Sequence, residues 1–109
     1  MNKIRILFYP YGDEPTELFI NNSIDDIEVY INGRIAEAPL DENYTLIFNS
    51  DIDYDYAYQE KYDIYGNFII AKSSNGEYES LNDDDIDYIK EFLIDEISNI
   101  SWQDWAILI

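Results

Sequence analysis

The chain has 109 residues, with 24 Asp plus Glu against 6 Lys plus Arg, a formal net charge of -18, and neither Cys nor His. That length allows one domain around one core, and the composition excludes a disulfide framework, a thiol nucleophile, a Cys-based zinc site and a histidine base. A surface of this sign repels nucleic acid and anionic membrane and attracts basic proteins; with 47% of residues hydrophobic and 17% aromatic, the chain is expected to fold.

In chain order, Lys3 to Tyr9 and Thr16 to Ile20 read as two strands, joined by the turn chemistry of Pro10-Tyr-Gly-Asp-Glu-Pro15 into an antiparallel hairpin. Ser23 is a predicted N-cap for a helix of about two turns. Its stripe is Ile24, Ile27 and Ile31, and Asn32-Gly33 is its stop. Ile35 to Leu40 and Tyr44 to Asn49 follow as strands, the second with Tyr44, Leu46 and Phe48 on a core face. An acidic, tyrosine-rich stretch occupies Asp51 to Tyr65. Asn67 to Ala71 is the next strand, and Ser73-Ser-Asn-Gly76 should turn it into Glu77 to Leu81, because Asn-Gly accepts the positive φ angles of tight hairpins. Asn82 caps a final helix whose stripe of Ile86, Ile89, Leu93, Ile97 and Ile100 predicts about four turns. The tail, with Trp102, Trp105, Ile107, Leu108 and Ile109, is too apolar to stand in water and is expected to dock on the domain or on another chain.

The class expected over residues 1–109 is therefore α+β. It has a mainly antiparallel sheet with a β-grasp-like ββαββ start, a later hairpin, and a long C-terminal helix packed on one face. Met1 to Tyr9 contains too short an apolar run for a signal peptide, and no run approaches a membrane span. A location in the host-cell cytoplasm is expected. Ile, Asn and Tyr are abundant, as in proteins of AT-rich genomes, yet Lys is scarce. The acidity is therefore not a by-product of codon usage.

If Asp51 to Tyr65 is extended, a period of two puts Asp51, Asp53 and Asp55 on one face and Ile52, Tyr54, Tyr56 and Tyr58 on the other. A calcium loop fails on register, since its sixth position would be Tyr56 and its twelfth Tyr62. Imitation of phosphates fits better: alternate strand residues lie about 7 Å apart, near two 3.4 Å rises of one DNA strand. The competing reading is an edge strand whose charges guard against aggregation. Tyrosine supplies rigid contact area at interfaces, so Asp51, Asp53, Tyr54, Asp55, Tyr56, Tyr58, Glu60, Tyr62 and Asp63 form the candidate partner-binding set. A second cluster, Asp83, Asp84, Asp85 and Asp87, exceeds what a helix N-terminus requires, and Asp84 and Asp87 join the set. No nucleophile-base arrangement, phosphate loop or metal motif stands out, so neither catalysis nor a cofactor is expected. Trp102 and Trp105 read as core or dimer packing before ligand-pocket walls.

Ile35-Ala-Glu-Ala-Pro-Leu40, Leu46-Ile-Phe-Asn49, Gly66-Asn-Phe-Ile-Ile-Ala71 and Glu77-Tyr-Glu-Ser-Leu-Asn-Asp-Asp-Asp-Ile86 together carry a resemblance. The chain resembles a family of short acidic proteins of unknown function from phages and conjugative elements of low-GC bacteria. The Asp51 to Tyr65 stretch and the Trp-containing tail depart from that family. The resemblance implies a mobile-element setting, where small genes often inhibit host defences. The function expected is an anti-CRISPR or anti-restriction DNA mimic, blocking the nucleic-acid-binding site of a basic host protein such as a CRISPR effector or restriction enzyme. No direct nucleic-acid or membrane partner is expected. The alternative is an accessory interaction module whose acidity serves solubility and whose tail binds a partner or forms a homodimer.

Overall fold

A computed structural model of the chain describes residues 3–49, 58–59, 64–74, 77–95 and 107–108. Strands β1 (Lys3–Tyr9) and β2 (Thr16–Asn21) form the expected hairpin, and α1 (Ile24–Ile31) follows. Next come β3 (Ile35–Pro39), β4 (Tyr44–Asn49), β5 (Tyr58–Gln59), β6 (Ile64–Tyr65), β7 (Phe68–Ser74), β8 (Glu77–Glu79), α2 (Asp83–Glu91) and β9 (Ile107–Leu108). The main sheet runs β2-β1-β7-β4-β3-β9, with β8 paired to the second half of β7. Every pairing in it is antiparallel. The β-grasp-like start is thereby corrected: the ββαββ order is present, but β7 lies between β1 and β4 and joins the two halves.

α1 starts where the Ser23 hydroxyl accepts the Asp26 N–H. It stops at Asn32, which takes the left-handed conformation at φ 65°. Gly33 follows because a Cβ there would lie 2.7 Å from the Asn49 amide nitrogen. Ile27 and Ile31 are buried, whereas Ile24, expected in the stripe, stands 47% exposed in the first turn.

The expectation of a long C-terminal helix is overturned, although the helix does pack on one face of the sheet. α2 has nine residues, and the chain leaves helical geometry at Phe92 (φ -126°, ψ -53°) before a 3₁₀ turn over residues 93–95. Leu93 still reaches the core from that turn, so the apolar stripe outlasts the helix that it was read to define. Ile97 and Ile100 lie outside the described residues.

The two helices also cover opposite faces of the sheet. Ile86, Ile89 and Leu93 pack with Leu7, Tyr9, Ala36, Leu46, Phe48, Phe68 and Ile70. On the other face Ile27 and Ile31 pack with Ile4, Ile6, Ile20, Ile35, Ile47, Ile69 and Ala71. The central strands alternate between these two cores, so β4 is buried along its whole length.

The alternation expected over Asp51 to Tyr58 lies outside the described residues, Tyr58 excepted. Tyr58 pairs with Tyr65 and Gln59 with Ile64, so the chain doubles back between them. The apolar tail meets the domain's own sheet, with Ile107 and Leu108 paired to Glu37 and Ala36 along β3.

Candidate functional site

α2 holds the acids that the structure places most sharply. Its start is a reciprocal cap: the Asn82 side chain accepts the Asp85 N–H at 2.8 Å, and the Asp85 carboxylate accepts the Asn82 N–H at 2.8 Å. Asp85 is 6% exposed, and it also accepts from the Tyr44 hydroxyl at 2.5 Å and from Lys72 Nζ at 3.4 Å. Burial by itself would raise its pKa, but the Asn82 N–H, the Tyr44 hydroxyl and the Lys72 ammonium hold the carboxyl below the usual range. Burial, then the Asp85 carboxylate, push the Tyr44 phenol up. This network fastens α2 to β4 and β7. Asp83 accepts from Arg5 Nη1 at 2.9 Å, and Arg5 also pairs with Glu17, tying the helix start to β1 and β2. Asp83 is 90% exposed, so that bond adds little to stability.

The outer acids of the same helix have no such role. Asp84, Asp87 and Glu91 are exposed, and among the described residues none of their side chains makes a hydrogen bond or ion pair. Steps of three and then four residues keep them on one side of the helix, about 4.5 and 6 Å apart along its axis. Exposed Asp95 follows four residues later, in the 3₁₀ turn. Beside this row, Tyr88 is 40% exposed and Phe92 62% exposed, with ring centroids 6.0 Å apart. Tyr88 lies 5.5 Å from the buried Tyr44 ring and donates its hydroxyl to Asp41 Oδ2 at 3.3 Å.

Of the residues singled out from sequence, Asp84 and Asp87 thus come together in the α2 row. Tyr58 lies in β5. Asp51, Asp53, Tyr54, Asp55, Tyr56, Glu60, Tyr62 and Asp63 lie outside the described residues. Sequence reasoning missed Glu91, Asp95, Tyr88, Phe92 and Asp41. The first four were detectable, because steps of three and four from Asp84 and Asp87 reach them; Asp41 is brought in by the β3–β4 connection, which no local pattern reveals.

Among the described residues, no group of three or more acids could hold a metal ion, and no helix is long and apolar enough to cross a membrane. Comparison with protein families, with curated protein sequences and with solved structures finds no match.

Proposed function

We propose that the protein imitates the anionic backbone of a nucleic acid and blocks the nucleic-acid-binding site of a basic host protein. The observation that carries this reading is the row Asp84, Asp87 and Glu91: exposed, on one side of a helix, and with no side-chain hydrogen bond or ion pair among the described residues. A surface helix serving solubility alone intersperses both signs, and like charges spaced this way cost about 0.2–0.5 kcal/mol per pair. Within α2 itself Lys90 is the one basic residue, against five acids. At about 5 Å per charge the row is roughly two thirds as dense as the phosphates of one strand. The whole chain comes closer. Its longest dimension, 34 Å, divided by a net charge of 18 gives about 1.9 Å per charge, against about 1.7 Å for duplex DNA.

The resemblance to mobile-element proteins points to a host defence protein, a CRISPR effector or a restriction enzyme, as the target. The test is binding to such proteins across a salt series with DNA as competitor. Affinity should fall steeply with salt, and protein and DNA should exclude each other. A complex that ignores salt and accommodates DNA at the same time would sink the proposal.

A further inference from the structure

We infer that the Tyr88–Phe92 side of α2 is a docking surface for arginine side chains, so that the partner's contact segment is arginine-rich and not merely basic. The inference rests on the reading of α2 as the contact face and adds to it the chemistry of what is gripped. Three rings run outward from the core: Tyr44 is buried, Tyr88 is tilted against it at 5.5 Å, and Phe92 lies 6.0 Å further along. The inner two are held by their hydroxyls, on Asp85 and Asp41. Phe92 has no polar atom and is 62% exposed, so its ring presents an apolar surface to solvent.

Lys72 lies at the inner end of these rings, on Asp85 beside Tyr44, whereas among the described residues the charges set against Tyr88 are acidic. Asp84 precedes Tyr88 by four residues and so neighbours it on the helix, Asp41 touches the Tyr88 hydroxyl, and the Asp87–Glu91 row runs alongside. Lys90 is two residues from both Tyr88 and Phe92, a spacing that turns it away from them.

An anionic rim around aromatic rings suits a cation with a flat apolar surface. A guanidinium can stack on a ring while its edge bonds a carboxylate through two parallel N–H groups. An ammonium is a compact, strongly hydrated charge that gains less from the ring. A second copy of this chain is a poor occupant, since each carries a net charge of -18. Nucleic acid and anionic lipid are repelled for the same reason.

The test titrates the full chain with two synthetic peptides of equal length and charge, one carrying arginines and the other lysines, at fixed salt. The arginine peptide should bind about threefold to fivefold more tightly. Phe92→Leu, which keeps an apolar side chain and removes the ring, should cut that preference below about twofold without changing lysine-peptide affinity. Phe92→Trp should keep or raise it, and Asp84→Asn should weaken both peptides. Phe92 is exposed, so these variants are expected to fold, which circular dichroism checks. Equal affinities for the two peptides, or a preference that survives Phe92→Leu, would overturn the inference. The two proposals fail separately: salt-sensitive exclusion of DNA without an arginine preference removes only the ring site. A ring-dependent arginine preference without exclusion of DNA removes only the nucleic-acid imitation.

Discussion

Asp84 and Asp85 are consecutive residues of one helical turn with the same side chain, and they do opposite things. Asp85 is spent inward: it closes the cap with Asn82 and receives Tyr44 and Lys72. The side chains of Asp84, Asp87 and Glu91 turn outward and make no hydrogen bond or ion pair among the described residues. The difference is direction alone, set by the helix period, since a step of one residue rotates a side chain from the core toward solvent. A run of acids is therefore not one feature, and its charge count says little until each member is assigned to a side.

The largest test of this contrast is Asp85→Ala. It removes the cap and leaves the Tyr44 hydroxyl and Lys72 without their carboxylate, which should cost about 3 kcal/mol. For a domain of this size that is a fall in Tm of more than about 10 °C by thermal denaturation. A loss under about 1 kcal/mol would mean that the inner network is not what holds α2. The pH dependence follows from the depressed Asp85 carboxyl. Its folded pKa lies below the unfolded value, so its stabilisation is fully present above about pH 3.9 and is lost as pH falls through the folded pKa. Asp85→Ala should lack that acid-side slope.

The outer acids predict the reverse pattern. Asp84→Asn with Asp87→Asn and Glu91→Gln removes three like-charge pairs (Asp83–Asp87, Asp84–Asp87 and Asp87–Glu91) and the attractive Asp87–Lys90 pair, worth about 0.2–0.5 kcal/mol each. It also removes the favourable interaction of Asp84 with the helix N-terminus, worth about 0.3–1 kcal/mol. These nearly cancel, and stability should move by no more than about 0.5 kcal/mol. Affinity for a basic partner should fall about tenfold, or about 1.4 kcal/mol, with a shallower salt dependence. A variant that binds as before would return the row to the role of a solvated face. Between the two extremes stands Tyr44→Phe, which takes one donor from Asp85 but keeps the ring against Tyr88. It should cost about 1 kcal/mol, read from the same melting curves.

Local chemistry was legible in the sequence wherever one short segment decides the outcome. Ser23 and Asn82 cap their helices, Asn32 ends α1, and β1 and β4 occupy the expected residues. What pairs distant segments was not legible. Nothing in Phe68 to Ser74 says that it separates β1 from β4, and nothing in Tyr58 to Tyr65 says that Tyr58–Gln59 pairs with Ile64–Tyr65. The covering of both faces did leave a trace. Ile4 to Tyr9, Leu46 to Phe48 and Phe68 to Ala71 are apolar nearly without alternation, as strands between two layers are. The length of α2 misled because Leu93 keeps the helical spacing after the helix has ended, and docking of a side chain depends on where it arrives and not on the backbone that delivers it.

Glu37 separates burial from partnership, which Asp85 combines. It lies half-buried on β3, registered between Ile47 and Ile107, and among the described residues its side chain has no hydrogen bond or ion pair. Burial pushes its carboxyl up, where the partners of Asp85 pull that one down. The linkage therefore has the opposite sign. The folded state holds the Glu37 proton more tightly than the unfolded chain, so stability is greatest below about pH 4.3 and declines as pH rises toward the folded pKa. Glu37→Gln removes the charge that burial disfavours. It should raise stability at pH 7 by a few tenths of a kcal/mol, the shift being damped by solvent screening, and leave it unchanged near pH 3.5. A variant less stable than the parent at pH 7 would mean that Glu37 is compensated, and that burial without partnership does not distinguish it from Asp85.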